Sequence, residues 1–189
     1  MKKIKQLSLI LFISAGLFSC EAEKTDDQLS NEFLPGEQIF RYELDGQTRV
    51  TNDVTVSSSG SLVTIHAVFN DAISEFKTQT FTISLNKLAV GSYVSSVGNI
   101  NSDDIYGFAS ASYKHHNVNW SYSTQNVKVN ADNVTIQTGS LDILSINDKA
   151  KYFEGKFEFD LYAPLTVNEN NSIAPVKVRN GYFQYIKYN

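Results

Sequence analysis

Apolar and polar residues alternate along most of the chain after residue 37, with the two-residue period of β-strands. The alternation is most regular in segment 151–162, where Phe153, Phe157 and Phe159 share one face and charged residues occupy the other. A slip of one residue would bring those charges into the core, so the register is strongly specified. No segment has the 3.6-residue period of an amphipathic helix. The pattern predicts extended runs at 39–44, 47–51, 54–57, 61–69, 78–85, 105–114, 119–123, 135–146, 151–162 and 176–188.

Turn residues separate these runs. Asp45-Gly46 has the composition of a two-residue type I′ hairpin turn, which requires positive φ at both positions. Gly155 and Gly181 interrupt long strands, and a glycine at such a position usually marks a bulge or a bend. About nine to eleven short strands with turns between them favour an all-β fold, either an antiparallel β-sandwich or a partly closed β-barrel.

The first 19 residues have the organisation of a signal peptide. Lys2, Lys3 and Lys5 precede an uncharged apolar run, 7–18, which is shorter than the roughly 20 residues that a membrane-spanning helix needs. The sequence around the end of the run, Leu17-Phe18-Ser19-Cys20, resembles the lipobox of bacterial lipoproteins.

Cys20 is the single cysteine of the chain and the predicted lipidation site. A thiolate is nucleophilic enough to accept a diacylglyceryl group as a thioether, and small Ser19 gives the peptidase access. The alternative is an unmodified cysteine in an ordinary signal peptide. Two or more acyl chains would anchor the protein stably, so the membrane is an expected partner through this covalent anchor.

The sequence therefore predicts three parts of the chain: a cleaved signal peptide at 1–19, a lipidated cysteine with a flexible acidic tether at 20–36, and a single all-β domain at 37–189. The tether is rich in acids and closes with Pro35-Gly36, so it buries too little apolar surface to order itself.

The mature chain is acidic. Three of the sixteen basic residues but none of the twenty acidic ones lie in 1–19, so cleavage leaves seven more acidic than basic residues. An acidic surface repels phosphate backbones, and nucleic acid is therefore not an expected partner. A single cysteine also excludes a disulfide scaffold and a cysteine-ligated zinc site.

Candidate catalytic and metal-binding residues are few. The chain has no Gly-x-Ser-x-Gly, phosphate-binding glycine loop or His-Glu-x-x-His, so no catalytic site and no cofactor are predicted. Adjacent histidines such as His115 and His116 would point to opposite faces of a strand and rarely converge on one ion in a turn. Segment 101–104 lacks the distal acid of a calcium loop, so no metal site is predicted either. His66 is expected to be an outer-face or hydrogen-bonded residue rather than a catalytic base. A small hydrolase remains an alternative, because Glu154, Glu158 and Asp160 repeat along one strand face at about the carboxylate spacing of glycosidases.

Aromatic residues are more numerous than one core needs. Tyrosine and tryptophan favour recognition surfaces, because they bury a large area and keep a polar group in water. Trp120 and Tyr122 are the candidate ligand-binding pair, for a glycan or a protein ligand. The surplus comprises Tyr106, Tyr113, Trp120, Tyr122, Tyr182, Tyr185 and Tyr188.

Several short motifs follow one another along the chain. They are the lipobox, Phe40-Arg41-Tyr42-Glu43-Leu44-Asp45-Gly46, Leu88-Ala89-Val90-Gly91-Ser92-Tyr93, Gly139-Ser140-Leu141-Asp142-Ile143, Gly155-Lys156-Phe157-Glu158-Phe159 and Val178-Arg179-Asn180-Gly181-Tyr182-Phe183. In this order of motifs the chain resembles small Bacteroidetes lipoproteins of domain-of-unknown-function families. The resemblance implies an all-β, membrane-anchored module without established catalytic residues.

The acids after Cys20 are similar to the surface-export signal of such lipoproteins, although Ala22, Lys24 and Thr25 interrupt them. A solvated periplasmic spacer is the alternative. The expected location is the outer membrane, with the lipid-anchored domain facing either the cell surface or the periplasm. The expected function is noncatalytic binding or scaffolding at the cell envelope. A carbohydrate-binding accessory lipoprotein of a polysaccharide-uptake system is the alternative function.

Overall fold

The computed structural model describes residues 36–70, 78–97, 107–115, 119–128, 135–168 and 173–189, all within the compact unit Pro35–Asn189. These residues contain no helix of the length and apolar character that a membrane span requires. The strands are β1 (Ile39–Leu44), β2 (Gln47–Thr51), β3 (Val54–Ser59), β4 (Leu62–Asn70), β5 (Thr78–Leu85), β6 (Gly91–Val97), β7 (Gly107–Lys114), β8 (Tyr122–Ser123), β9 (Ile136–Asn147), β10 (Tyr152–Leu161) and β11 (Val176–Lys187).

The strands form two facing sheets. In the first sheet the order is β2-β1-β11-β10-β9-β6, and in the second it is β7-β5-β4-β3, with β8 paired to β7. All pairs are antiparallel except β6 with β7, which are parallel and join the two sheets through Tyr93 and Val94. The predicted all-β fold, between a sandwich and a partly closed barrel, is confirmed.

The barrel nearly closes where β2 passes into β3. These two strands stand at opposite ends of the sheet order, yet only Asn52 and Asp53 separate them in the chain. The Asp53 carbonyl accepts from Val68 N (2.9 Å), and Thr51 Oγ1 donates to the Val68 carbonyl (2.6 Å). The end of β2 and the residue before β3 are therefore both hydrogen-bonded to β4, which brings the two ends of the sheet order together.

Most predicted strands are confirmed, but the sequence pattern does not predict β6. Its inner-face positions are Tyr93 and Ser95, whereas Val94 lies on the outer face, so the apolar pattern is broken. Ser95 is tolerated in the core because its hydroxyl forms a 2.8 Å hydrogen bond with Thr138 Oγ1. The predicted strand at 119–123 is also corrected, because only Tyr122–Ser123 is extended.

Aromatic rings from both sheets fill the core. Phe81 of β5 lies 5.7 Å from Phe40 and 5.6 Å from Phe157, measured between ring centroids across the two sheets. Such tilted and edge-to-face pairs are favourable beyond the area they bury. The fully buried large side chains are Tyr42, Tyr93, Phe40, Phe81, Phe153, Phe159, Phe183, Ile65, Ile83, Leu85, Leu141 and Ile143.

The strand glycines make room for aromatic rings on the neighbouring strand. Gly155 pairs with Phe183, and a Cβ on Gly155 would come within 2.5 Å of the Phe183 ring. Gly181 pairs with Phe157 in the same way. The register between β10 and β11 shifts beside both pairs, so the predicted bulges are confirmed.

The Asp45-Gly46 hairpin turn is confirmed. Both residues have positive φ, 51° and 74°, as a type I′ turn requires. This two-residue turn sets the register of β1 on β2, in which Leu44 faces Gln47 and Tyr42 faces Arg49.

Candidate functional site

Trp120 and Tyr122 lie together at one end of the barrel. Their ring centroids are 4.7 Å apart and their planes meet at 62°, so the rings pack edge to face. Both side chains are half-buried. Tyr122 in turn stacks on Tyr113 of β7, with centroids 6.3 Å apart and planes at 29°. We call Trp120, Tyr122 and Tyr113 the aromatic series; it runs from the surface into the core.

Backbone contacts on two sides hold this series in place. Tyr122 pairs with Tyr113 in the register of β8 on β7. Ser123 exchanges two 2.9 Å backbone hydrogen bonds with Tyr162, at the end of β10. The side-chain Nδ2 of Asn126 also donates to the Tyr162 carbonyl, at 3.0 Å. The segment that carries Trp120 and Tyr122 is therefore fastened to both sheets, which holds the two rings in a defined arrangement.

Buried polar groups lie at the inner end of the series. Tyr113 Oη donates to Gln79 Oε1 at 3.0 Å, and both side chains are buried. Tyr42 is fully buried, and its hydroxyl makes no hydrogen bond to the described residues; the same holds for Nε of Arg49, its cross-strand neighbour. Burial raises the pKa of Tyr42 above its ordinary range, and Tyr113 adds to that rise.

These buried tyrosines predict a loss of stability at alkaline pH. Burial raises the pKa of Tyr113 to about 12, which the Arg49 guanidinium offsets in part. The unfolded chain releases this proton near pH 10, whereas the folded chain keeps it, so folding stability is complete below pH 10 and falls between pH 10 and 12. The expected contribution of Tyr113 is about 2 to 3 kcal/mol over that range.

Urea unfolding at pH 8, 10, 11 and 12 measures this effect. The Tyr113→Phe variant lacks the titrating hydroxyl, so its free energy of unfolding is expected to fall less steeply with pH than that of the wild type. It is also expected to lose about 1 kcal/mol at pH 8, because Gln79 loses its hydrogen-bond donor. Equal slopes in the two proteins would contradict the assignment.

Other residues with candidate chemistry lie apart from one another. His66 is half-buried on the outer face of β4, as expected, and its Nδ1 is 3.0 Å from Thr82 Oγ1. Among the described residues, no three His, Cys, Asp or Glu side chains come together in a way that could hold a metal ion. Cys20, residues 101–104 and His116 lie outside the described residues.

The three carboxylates of β10 project from its outer face. Glu158 is exposed, Asp160 pairs with Arg179, and Glu154 accepts a hydrogen bond from Ser145 Oγ. Each carboxylate thus has different surroundings, and the three do not converge on one point.

Tyr42, Arg49 and Gln79 were not predicted as parts of the site. A signal for the first two is present in the hairpin, because counting outward from a two-residue turn places Arg49 opposite Tyr42 on the inner face. Gln79 occupies an inner-face position of β5, two residues before Phe81. Its role as the acceptor for Tyr113 depends on the pairing of β5 with β7, which alternation along one strand does not reveal.

The fold and the site together define an all-β domain, a nearly closed barrel with a series of aromatic rings leading inward at one end. The chain belongs to the DUF6252 family, a domain of unknown function whose family model matches residues 36–187. No curated protein and no solved structure matches the chain.

Proposed function

We propose that this protein is a lipid-anchored, noncatalytic binding module of the cell envelope, and that its ligand contacts Trp120 and Tyr122. The observation that carries the proposal is the aromatic series. Two half-buried rings on a firmly held segment can bury a large area against a ligand with little loss of conformational entropy. Tyrosine and tryptophan are enriched at recognition surfaces for this reason.

A noncatalytic role is supported by the disposition of the acids. A glycosidase needs two carboxylates on either side of one scissile bond. Glu154 and Asp160 instead contact Ser145 and Arg179 on the outer face of a strand. We therefore assign these acids to a solvated face of the domain rather than to a reaction.

The anchor rests on the sequence motif at Leu17–Cys20. In the native host, the wild-type chain is expected in the membrane fraction, where only detergent releases it. Replacing Cys20 with serine removes the thiol that accepts the diacylglyceryl group, so the Cys20→Ser chain is expected to lack the lipid mass.

Intact-mass spectrometry of the purified wild-type protein checks this directly. A chain that begins at Cys20 and carries a diacylglyceryl thioether supports the anchor. A free thiol, or cleavage at another bond, would refute it, and the domain would then be a secreted, unattached protein. Protease treatment of intact cells separates the surface location from the periplasmic one.

A carbohydrate ligand is the second candidate function, in which the protein would be an accessory lipoprotein of a polysaccharide-uptake system. It is favoured by the Trp120–Tyr122 pair, because the apolar face of a sugar ring stacks on an aromatic ring while its hydroxyls remain hydrated. The planes at 62° offer two differently oriented ring surfaces rather than one flat platform.

The test is a glycan-array screen of the mature protein in detergent, followed by titration of any glycan that binds. Trp120→Ala is expected to weaken binding by about tenfold or more, which corresponds to about 1.4 kcal/mol. Phe108→Ala is the matched control, because Phe108 is an exposed aromatic residue on β7 that is not part of the aromatic series. Glycan binding that Trp120→Ala leaves unchanged would exclude this site.

A further inference from the structure

Strand β11 contains two residues in the left-handed region of the backbone, Asn180 with φ 50° and Tyr185 with φ 52°. Each lies where the register between β10 and β11 shifts. Asparagine enters this region readily, whereas a bulky residue such as tyrosine rarely adopts it. The bulge at Tyr185 therefore carries a residue that is unfavourable for its backbone conformation.

This conformation sets the Tyr185 ring against Tyr152. The two ring centroids are 5.1 Å apart and the planes meet at 62°, with both side chains half-buried. Tyr152 is itself held, because Asn147 Nδ2 donates to its hydroxyl at 3.3 Å. The side-chain carbonyl oxygen of Asn147 accepts backbone hydrogen bonds from Lys149 and Ala150, so the turn fixes the side chain that positions Tyr152.

Polar groups flank the two rings. Glu154 follows Tyr152 on the outer face of β10 and faces the bulge that contains Tyr185. Ser145 Oγ donates to Glu154 Oε2 at 3.3 Å, which orients a carboxylate two positions from Tyr152 on the same strand face. Two aromatic rings at an angle, with an acceptor carboxylate on the same strand face, suit a ligand that has both apolar C–H faces and several hydroxyl donors.

We propose that the Tyr152–Tyr185 pair is a binding subsite for one ring of a neutral glycan. Tyr185 keeps a strained backbone conformation and packs its ring edge to face against Tyr152. Backbone strain of this kind occurs preferentially at functional sites, and a ligand that stacks on the two rings would account for a tyrosine at this position.

This subsite is separate from the aromatic series. Tyr152 begins β10, whereas Tyr162, which pairs with Ser123, follows its end, and the ten residues of this strand span about 33 Å. The proposal thus does not rest on Trp120, and ligand binding at the two sites can be tested independently.

The test is calorimetric titration of the mature protein in detergent with neutral hexasaccharides of glucose, mannose, xylose and galactose. Tyr185→Asn keeps a residue that accepts the left-handed conformation and removes the ring. It is expected to weaken binding at least tenfold while leaving the melting temperature unchanged or higher. A purely structural tyrosine would show the opposite pattern, with lower stability and unchanged affinity.

Asn180→Gly is the matched control, because it changes the other left-handed residue of β11 and is expected to leave binding unchanged. Retention of wild-type affinity by Tyr185→Asn would overturn the proposal, as would a wild-type protein that binds none of the four hexasaccharides or binds only charged glycans or peptides. Loss of affinity in Trp120→Ala but not in Tyr185→Asn would place the sugar at the aromatic series alone and also overturn it.

Discussion

Replacing Gly139 with alanine is expected to lower the free energy of unfolding by about 2 to 6 kcal/mol. Gly139 has a φ of 154°, which L-residues rarely adopt. A Cβ at this position would overlap the carbonyl oxygen of Glu158 and come within 2.9 Å of the Phe159 Cα, on the neighbouring strand β10. These are backbone atoms held by the β9–β10 ladder, so they cannot move aside without breaking its hydrogen bonds.

Chemical denaturation followed by tryptophan fluorescence measures this change. Gly60→Ala is the matched control, because Gly60 also has a positive φ, 62°, but a Cβ on Gly60 would have no atom within 4 Å. The control is expected to cost about 1 kcal/mol, from backbone strain alone. If both variants lost the same free energy of unfolding, the overlap of the Cβ with β10 would contribute nothing to the loss.

Truncating Phe40 to alanine is expected to cost about 3 to 5 kcal/mol, because it leaves a large cavity at the meeting point of the two sheets. Phe40 is fully buried. Its ring lies within 6.4 Å of five other aromatic rings, measured between centroids, and these belong to Tyr42, Phe69, Phe81, Phe157 and Phe183.

A domain of ordinary stability, about 5 to 15 kcal/mol, would be left marginal by such a loss, so Phe40→Leu is a useful intermediate variant. Thermal and urea unfolding are expected to rank wild type above Phe40→Leu and Phe40→Leu above Phe40→Ala. Phe108→Ala removes the same side chain from a position 38% exposed and is expected to cost well under about 2 kcal/mol. A Phe40→Ala variant as stable as Phe108→Ala would show that the core has collapsed around the cavity.

Several features of the fold could be predicted because the forces that determine them act between residues close in the chain. The Asp45-Gly46 turn brings two strands together through its own backbone angles. Along β10, the alternation of Phe157 and Phe159 with charged residues specifies which face is buried. Neither inference needs knowledge of the rest of the molecule.

The candidate site was predicted only in part. Trp120 and Tyr122 were singled out by residue type, and the structure brings their rings together; whether they bind a ligand stays a prediction. Tyr113 belonged to the predicted aromatic surplus, but its stacking on Tyr122 depends on the pairing of β8 with β7. The hydrogen bond from Tyr113 to Gln79 spans 34 residues and had no local signal.

The amino-acid sequence alone determined that this chain is all-β, where most strands and the first hairpin lie, and which face of β10 is buried. These properties depend on side-chain period and turn chemistry, which are local. Only the tertiary structure decided that β6 is a strand between β9 and β7, that β2 and β3 nearly close the barrel, and that Tyr185 meets Tyr152. Those features depend on contacts between distant segments, and a serine in the core such as Ser95 is tolerated only when its partner from another strand is in place.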